Sequence, residues 1–322
     1  MEIVAVDIGG THARFALAEV ANGEFVSLGE AVTLETAEHA SFQLAWEAFA
    51  ASLGRSAPRH AGIAVASPIG GEVIKLTNNP WIIRPALIDE RLKLDRHVLV
   101  NDFGAVGHAV AQVGPEHLRH ICGPEVDLPA EGVIAVAGPG TGLGVAHVLR
   151  REARNFVIES EGGHVDFAPL DAIEDRILAH LRPTFTRVST ERIASGLGLA
   201  NIYSALAAMN GRPGWTGDTR ALWQTALAGE DSLANAALDR FFLCFGAIAG
   251  DIALATGATS LVIAGGLGLR LADRFAVSGF AERFVAKGRF RTMMAAMPVK
   301  LITHPEPGLY GAAAAFAEEF TR

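Results

Sequence analysis

Two glycine-threonine turns carry residues able to bind phosphate. One is Asp7-Ile8-Gly9-Gly10-Thr11 and the other is Gly138-Pro139-Gly140-Thr141-Gly142-Leu143-Gly144. Each follows a β-branched apolar run and precedes a second apolar run, which predicts a strand, a tight turn and a returning strand. Such a turn sets backbone N–H groups in a concave row with no Cβ in the way. Its occurrence twice predicts one phosphate tail gripped between two related lobes. Asp7 would repel phosphate directly, so it makes sense there only through a divalent cation or its water shell. Standing alone, either turn could be an ordinary glycine-rich bend.

Four further segments could handle a sugar or a ring. Asn101-Asp102 ends the run His97 to Val100. A carboxylate at a strand's carboxyl end can take a proton from a hydroxyl, and Asn both donates and accepts. The same pair is common in turns and helix caps. Glu161-Gly162-Gly163-His164 predicts a loop, not a helix, that presents an acid and an imidazole to a polyol, unless a local carbonyl satisfies the histidine. Glu191, in Ser189-Thr190-Glu191-Arg192, also reads as a first-turn acid favoured by a helix dipole. Gly265-Gly266 follows the run Leu261 to Ala264. It would let a flat ring lie on the backbone, or serve strand-to-helix packing.

Other chemistries are disfavoured. No Lys-Ser/Thr follows Gly138–Gly144, so it is not a Walker A loop, and the strand expected after it excludes a Rossmann fingerprint. Cys122 and Cys244 are the only cysteines, which gives neither a disulfide scaffold nor a Cys-x-x-Cys zinc site. They fit a reducing cytoplasm, as does an N-terminus without the basic stretch of a signal peptide. Net charge is −8 and no basic stripe is visible, which argues against nucleic acid. The apolar region Phe241 to Leu269 is broken by Asp251 and glycines and reads as a buried helix running into a buried strand, not a membrane span.

These residues need strands and turns to hold them. Strands are expected at 3–8 and 13–20, with a turn at Asn22-Gly23 and a third antiparallel strand over Phe25–Thr33. A helix is predicted over 41–53, strands at 61–66 and 73–76, a loop at 77–81, a helix over 86–94 and a strand at 97–100. The pattern restarts at Val133–Ala137. Helices follow at 172–181, 199–209, 232–255 and 312–320, and a strand at 261–264. Superposing Gly10-Thr11 on Gly140-Thr141 sets Ala5-Val6 on Ala135-Val136 and Asp7 on Ala137. At 322 residues, half of them hydrophobic, two domains are expected. We read α/β duplicated lobes whose strand-end loops face an interdomain cleft. The small lobe spans 1–112 and the large lobe 113–302.

Taken in order, these motifs resemble the bacterial glucokinase family of the type without a zinc site. The resemblance runs nearly the whole length. It includes Leu76-Thr77-Asn78, Asn101-Asp102-Phe103, Glu161 to Pro169, Ser189 to Arg192, Ala264 to Gly266, Lys287-Gly288-Arg289-Phe290 and Pro307-Gly308-Leu309. It implies an actin-like ATPase (ribonuclease H-like) fold, ATP-dependent phosphorylation of glucose to glucose 6-phosphate, and a homodimer. It makes Asp102 the general base and puts Asn101, Glu161, His164 and Glu191 on the sugar. It puts Val6, Asp7, Ile8, Gly9, Gly10, Thr11, Gly140, Thr141 and Gly142 on phosphates and Gly265 and Gly266 near adenosine. Mg2+ is expected to face Asp7, directly or through its water shell, and the resemblance implies a final helix, 303–322, returning to the small lobe. His12 stands where the family usually has Asn, and Ser67 where it commonly has Cys. The rivals are a kinase for another hexose or amino sugar and a sugar-sensing regulator on the same fold. The regulator would need a DNA-binding element, and no room is expected for one ahead of the first strand.

Overall fold

The computed structural model describes residues 1–76 and 79–321, so Thr77, Asn78 and Arg322 lie outside the described residues. The chain forms two α/β units. Unit 1 comprises Met1–Gly114, Val157–Glu159 and His304–Arg322, and unit 2 comprises Pro115–Phe156 and Ser160–Thr303.

In unit 1 the strands are β1 (Glu2–Ile8), β2 (His12–Ala21), β3 (Glu24–Leu28), β4 (Val32–Glu35), β5 (His60–Val65), a small ribbon of β6 (Ile74–Lys75) and β7 (Ile82–Ile83), and β8 (Arg96–Asn101). The main sheet runs β3-β2-β1-β5-β8, with β4 also beside β2. β1 and β2 are antiparallel, while β1, β5 and β8 are parallel. Asn22 and Gly23 both take positive φ, 55° and 80°, the conformation that a two-residue hairpin demands.

The strand expected over Phe25–Thr33 is two strands. β3 pairs with Ala18–Ala21 and β4 with His12–Phe15. β2 is irregular between Glu19 and Val20, and such a bulge bends a strand away from a straight partner. Between the two short strands, the Gly29 N–H donates to Leu17 O at 2.7 Å.

β1 is apolar on both sides because both faces are covered. Val4, Val6 and Ile8 pack with Phe15 and with Phe42, Trp46 and Phe49 of α1 (Phe42–Ser52). Ile3 and Ala5 pack with Leu309, Ala313 and Phe316 of the C-terminal helix Pro307–Phe320. Small residues let that helix come close. A Cβ on Gly311 would collide with the Ala105 carbonyl in α3 (Asp102–Gln112), and one on Gly62 with the Ala312 carbonyl. The remaining helix of unit 1, α2 (Ile88–Leu92), adds Ile88 and Leu92 to the α1 side.

Unit 2 repeats the pattern. Its strands are β9 (Leu118–Cys122), β10 (Gly132–Pro139), β11 (Leu143–Arg151), β12 (Arg154–Ser160), β13 (Ala258–Ile263) and β14 (Val299–Ile302), in the order β12-β11-β10-β13-β14-β9. β10 and β11 are antiparallel, and β10, β13 and β14 are parallel. The relationship inferred from the two Gly-Thr turns is therefore a relationship of whole sheets, extended in unit 2 by β9.

One face of this sheet carries α4 (Ala172–Phe185), α5 (Gly198–Met209), α6 (Thr219–Ala228) and α7 (Ser232–Ala255) in a large core. α7 leads into β13, as the apolar run from Phe241 predicts. Gly246 and Gly250 admit the backbone carbonyls of Phe280 and Phe284 in a facing helix. Among the described residues no helix is long and apolar enough to cross a membrane. β12 and α6 had no counterpart in the sequence reading. The turn into β12 uses Glu152 and Ala153 at φ 52° and 56°, with no glycine to signal it.

Candidate functional site

The first Gly-Thr turn joins β1 to β2, with the Gly9 N–H donating to His12 O at 2.9 Å. Two buried side chains hold it from behind. Thr36 Oγ1 lies 3.0 Å from both Gly10 O and Thr11 O, and Asn79 Nδ2 donates to Gly9 O at 3.4 Å. Carbonyls tied back in this way do not repel a phosphate, which needs the N–H groups of the turn. Sequence reasoning missed Thr36 and Asn79. Each sits 25 or more residues from its partner and belongs to no local motif.

Val6 and Ile8 are core residues and can offer a ligand only backbone. Asp7 is half-buried, with Arg14 Nη1 at 3.5 Å and Gly308, in the first turn of the C-terminal helix, directly against its carboxylate. Burial pushes the Asp7 carboxyl up, Arg14 draws it back down and Glu306 adds to the rise. Among the described residues no group of three or more His, Cys, Asp or Glu could cage a metal. A single carboxylate beside a phosphate turn does suit Mg2+, which keeps water and phosphate oxygens as its other ligands. His12 turns toward β4, with Nε2 2.9 Å from Glu35.

Asn101 ends β8 and caps α3. Its Oδ1 accepts from the N–H groups of Phe103 at 2.9 Å and Gly104 at 3.3 Å. Its Nδ2 donates to Ser67 O at 3.3 Å, and its backbone N–H donates to Glu159 Oε1 at 2.7 Å. The helix-cap reading of this residue is thus realised, and one amide hydrogen is left for a ligand. Asp102 opens α3, half-buried, with Oδ1 2.9 Å from the Phe103 N–H. Ile8 pairs with Val65 and Val65 with Asn101, so the Gly9-Gly10-Thr11 turn and Asp102 lie at the same carboxyl end of three parallel strands. That is where α/β sheets collect ligands.

In unit 2 the second turn spans Gly140–Gly142 between the paired residues Pro139 and Leu143, with Thr141 exposed at its tip. The Gly196 N–H donates to Gly140 O at 2.7 Å. The Glu161–His164 segment is not a plain loop. Gly162–His164 forms a 3-10 turn, closed by the His164 N–H donating to Glu161 O at 2.9 Å, and the Gly163 backbone sits so close to Leu143 O that a Cβ there would collide with it. A second 3-10 turn, Thr190–Arg192, carries Glu191. The two turns bring three predicted sugar groups together: His164 Nε2 lies 3.9 Å from Glu161 Oε2 and 4.0 Å from Glu191 Oε2. Glu191 Oε2 also accepts from the Leu143 N–H at 3.1 Å, which joins this cluster to the Thr141 turn. Two acids and an imidazole in so small a space can hold several hydroxyls of one polyol.

Gly265, at φ 83°, opens α8 (Gly265–Arg270), and a Cβ there would press on Pro139 O. Gly266 is exposed with open space where its Cβ would stand. The packing role therefore belongs to Gly265 and the open surface to Gly266.

A family model described as Glucokinase matches residues 4–319 of this chain. The chain is 64% identical over 321 residues to the glucokinase of Zymomonas mobilis, covering all of this chain and 99% of that protein. Among solved structures it is similar to a glucokinase from an Antarctic psychrotroph, with 34% identity, a TM-score of 0.87 and 98% of each chain covered. The same fold recurs at 17% identity and a TM-score of 0.62 in a ROK family glucokinase from Streptomyces griseus, over 98% of this chain and 99% of that one.

Proposed function

The chain belongs to the glucokinase family and phosphorylates glucose with ATP, and from that premise we propose which residues do the work. The assignment rests on one observation above all: Glu161, His164 and Glu191 meet beside the Thr141 turn. We assign these three residues and Asn101 to the pyranose hydroxyls. Asp102 is the general base. It accepts the proton of the 6-hydroxyl as that oxygen forms a bond to the γ-phosphorus and the bond to the ADP oxygen breaks. A sugar hydroxyl is a weak nucleophile, so its alignment and late proton removal matter more than prior ionisation.

The backbone from Val6 to Thr11 and from Gly140 to Gly142 is assigned to the phosphates, with Gly265-Gly266 beside the adenosine. Mg2+, when bound, neutralises charge on the transferring phosphates. Asp7 would hold it directly or through water. Polar groups that a bound sugar covers reject sugars that leave them unpaired. The reading extends to a homodimer working in the cytoplasm, at the entry of glucose into glycolysis. Two cysteines without a partner pairing support the reducing compartment.

A coupled assay of ADP release across glucose, mannose, fructose, galactose and N-acetylglucosamine tests the reading. Glucose is expected to give the highest kcat/KM. Preference for another sugar would reassign the substrate, and silence on every sugar would favour a sensor.

A further inference from the structure

Glu191 and His164 stand on two separate 3-10 turns, and neither turn is long enough to hold its own shape. Something must fix one against the other to better than an ångström if both are to meet one sugar. Thr190 stands at that junction. Its Oγ1 donates to Gly163 O at 2.7 Å, and its backbone N–H donates to Val165 O at 2.8 Å, so one residue grips the Gly162–His164 turn on both sides. Its own carbonyl accepts from the N–H groups of Ile193 and Ala194, at 3.0 and 2.8 Å, which closes the turn that carries Glu191. Thr190 is only 3% exposed.

A second tie comes from the surface. Arg187 Nη1 donates to His164 O at 2.6 Å and to Asp166 Oδ1 at 2.8 Å. That side chain is 58% exposed, so solvent weakens what it contributes. The buried hydroxyl has no such competition. Removing it leaves the Gly163 carbonyl buried without its donor, and the penalty falls on the turn that ends in His164.

We infer that Thr190 is a positioning residue of the sugar site, whose hydroxyl sets the spacing between His164 and Glu191. It touches no substrate and acts through those two side chains. The inference rests on the assignment of His164 and Glu191 to glucose.

The test is steady-state kinetics with glucose and ATP varied separately, together with thermal midpoints. It compares Thr190→Val, nearly equal in shape but without the hydroxyl, with Thr190→Ser, which keeps it. Thr190→Val is expected to raise the glucose KM roughly 5- to 20-fold, as loss of one buried hydrogen bond would. Its kcat should stay within about twofold and its ATP KM unchanged, while Thr190→Ser restores the glucose KM. Thr190→Ala is read by the same criteria should Thr190→Val not fold. An unchanged glucose KM in the hydroxyl-free variant overturns the inference. So does a Thr190→Ser enzyme as impaired as Thr190→Val, or a parallel loss of glucose and ATP affinity with a lowered thermal midpoint. Glu191→Gln is the control. If it too leaves the glucose KM unchanged, the sugar-site assignment has failed; if it alone raises that KM, only the role of Thr190 has failed.

Discussion

The carboxylate of Glu191 occupies the space that a side chain on residue 142 would need, and from there it accepts the Leu143 N–H at 3.1 Å. A glycine in the Thr141 turn is thereby explained by an acid 49 residues later in the chain. Gly142→Ala should push Glu191 off Leu143 and away from His164. A rise of about tenfold in glucose KM is expected, the size of one lost charge-assisted hydrogen bond. Titrating glucose at saturating ATP reads it directly.

Asp102→Asn keeps the shape of the proposed base and removes its ability to take a proton. We expect kcat to fall by about 10²–10⁴ with little change in glucose KM. Near-normal turnover in this variant would remove Asp102 from that role.

Thr36 holds the first Gly-Thr turn, proposed to bind phosphate, through Gly10 O and Thr11 O. Thr36→Val keeps the volume and frees the Gly10 carbonyl, while Thr11 O keeps the backbone N–H of residue 36 at 2.9 Å. The ATP KM should rise by roughly 3- to 10-fold, equivalent to about 1 kcal/mol, while the glucose KM stays put. An equal effect on both substrates would show that the turn is not a nucleotide device.

Gly311 is the contact point of the C-terminal helix with Ala105. Alanine gains about 1 kcal/mol of helix propensity at an open site, but here its Cβ meets a backbone carbonyl that cannot swing aside. Gly311→Ala should therefore destabilise the protein, by about 1–3 kcal/mol, measured as a lower urea midpoint.

Asp171 caps α4 through the N–H groups of Ile173 and Glu174 and pairs with Arg240 and Arg283. Burial works against its charge, but the Glu174 N–H and the two guanidiniums outweigh it and hold the carboxyl down to about 2, from 3.8. A carboxyl depressed on folding lends stability above its unfolded value and loses it as pH falls through the folded one. Urea midpoints should therefore drop between about pH 4 and pH 2, and Asp171→Asn should flatten the profile in that window.

The sequence by itself determined the strand-turn-strand units at Gly9-Gly10-Thr11 and Gly140-Thr141-Gly142. β-branched runs and glycines act on their immediate neighbours, and such signals survive without a fold. The order of the short motifs carried the family and the duplicated sheets. Tertiary structure alone decided what holds those pieces. Thr36 reaches back 26 residues to Gly10, Thr190 reaches 27 to Gly163, and the Asn101 N–H finds Glu159 across 58. It also placed Val157–Glu159 with unit 1 while the chain on either side belongs to unit 2. None of these pairings leaves a periodic trace, because a hydrogen bond between distant segments fixes the type of two residues and nothing about the sequence between them.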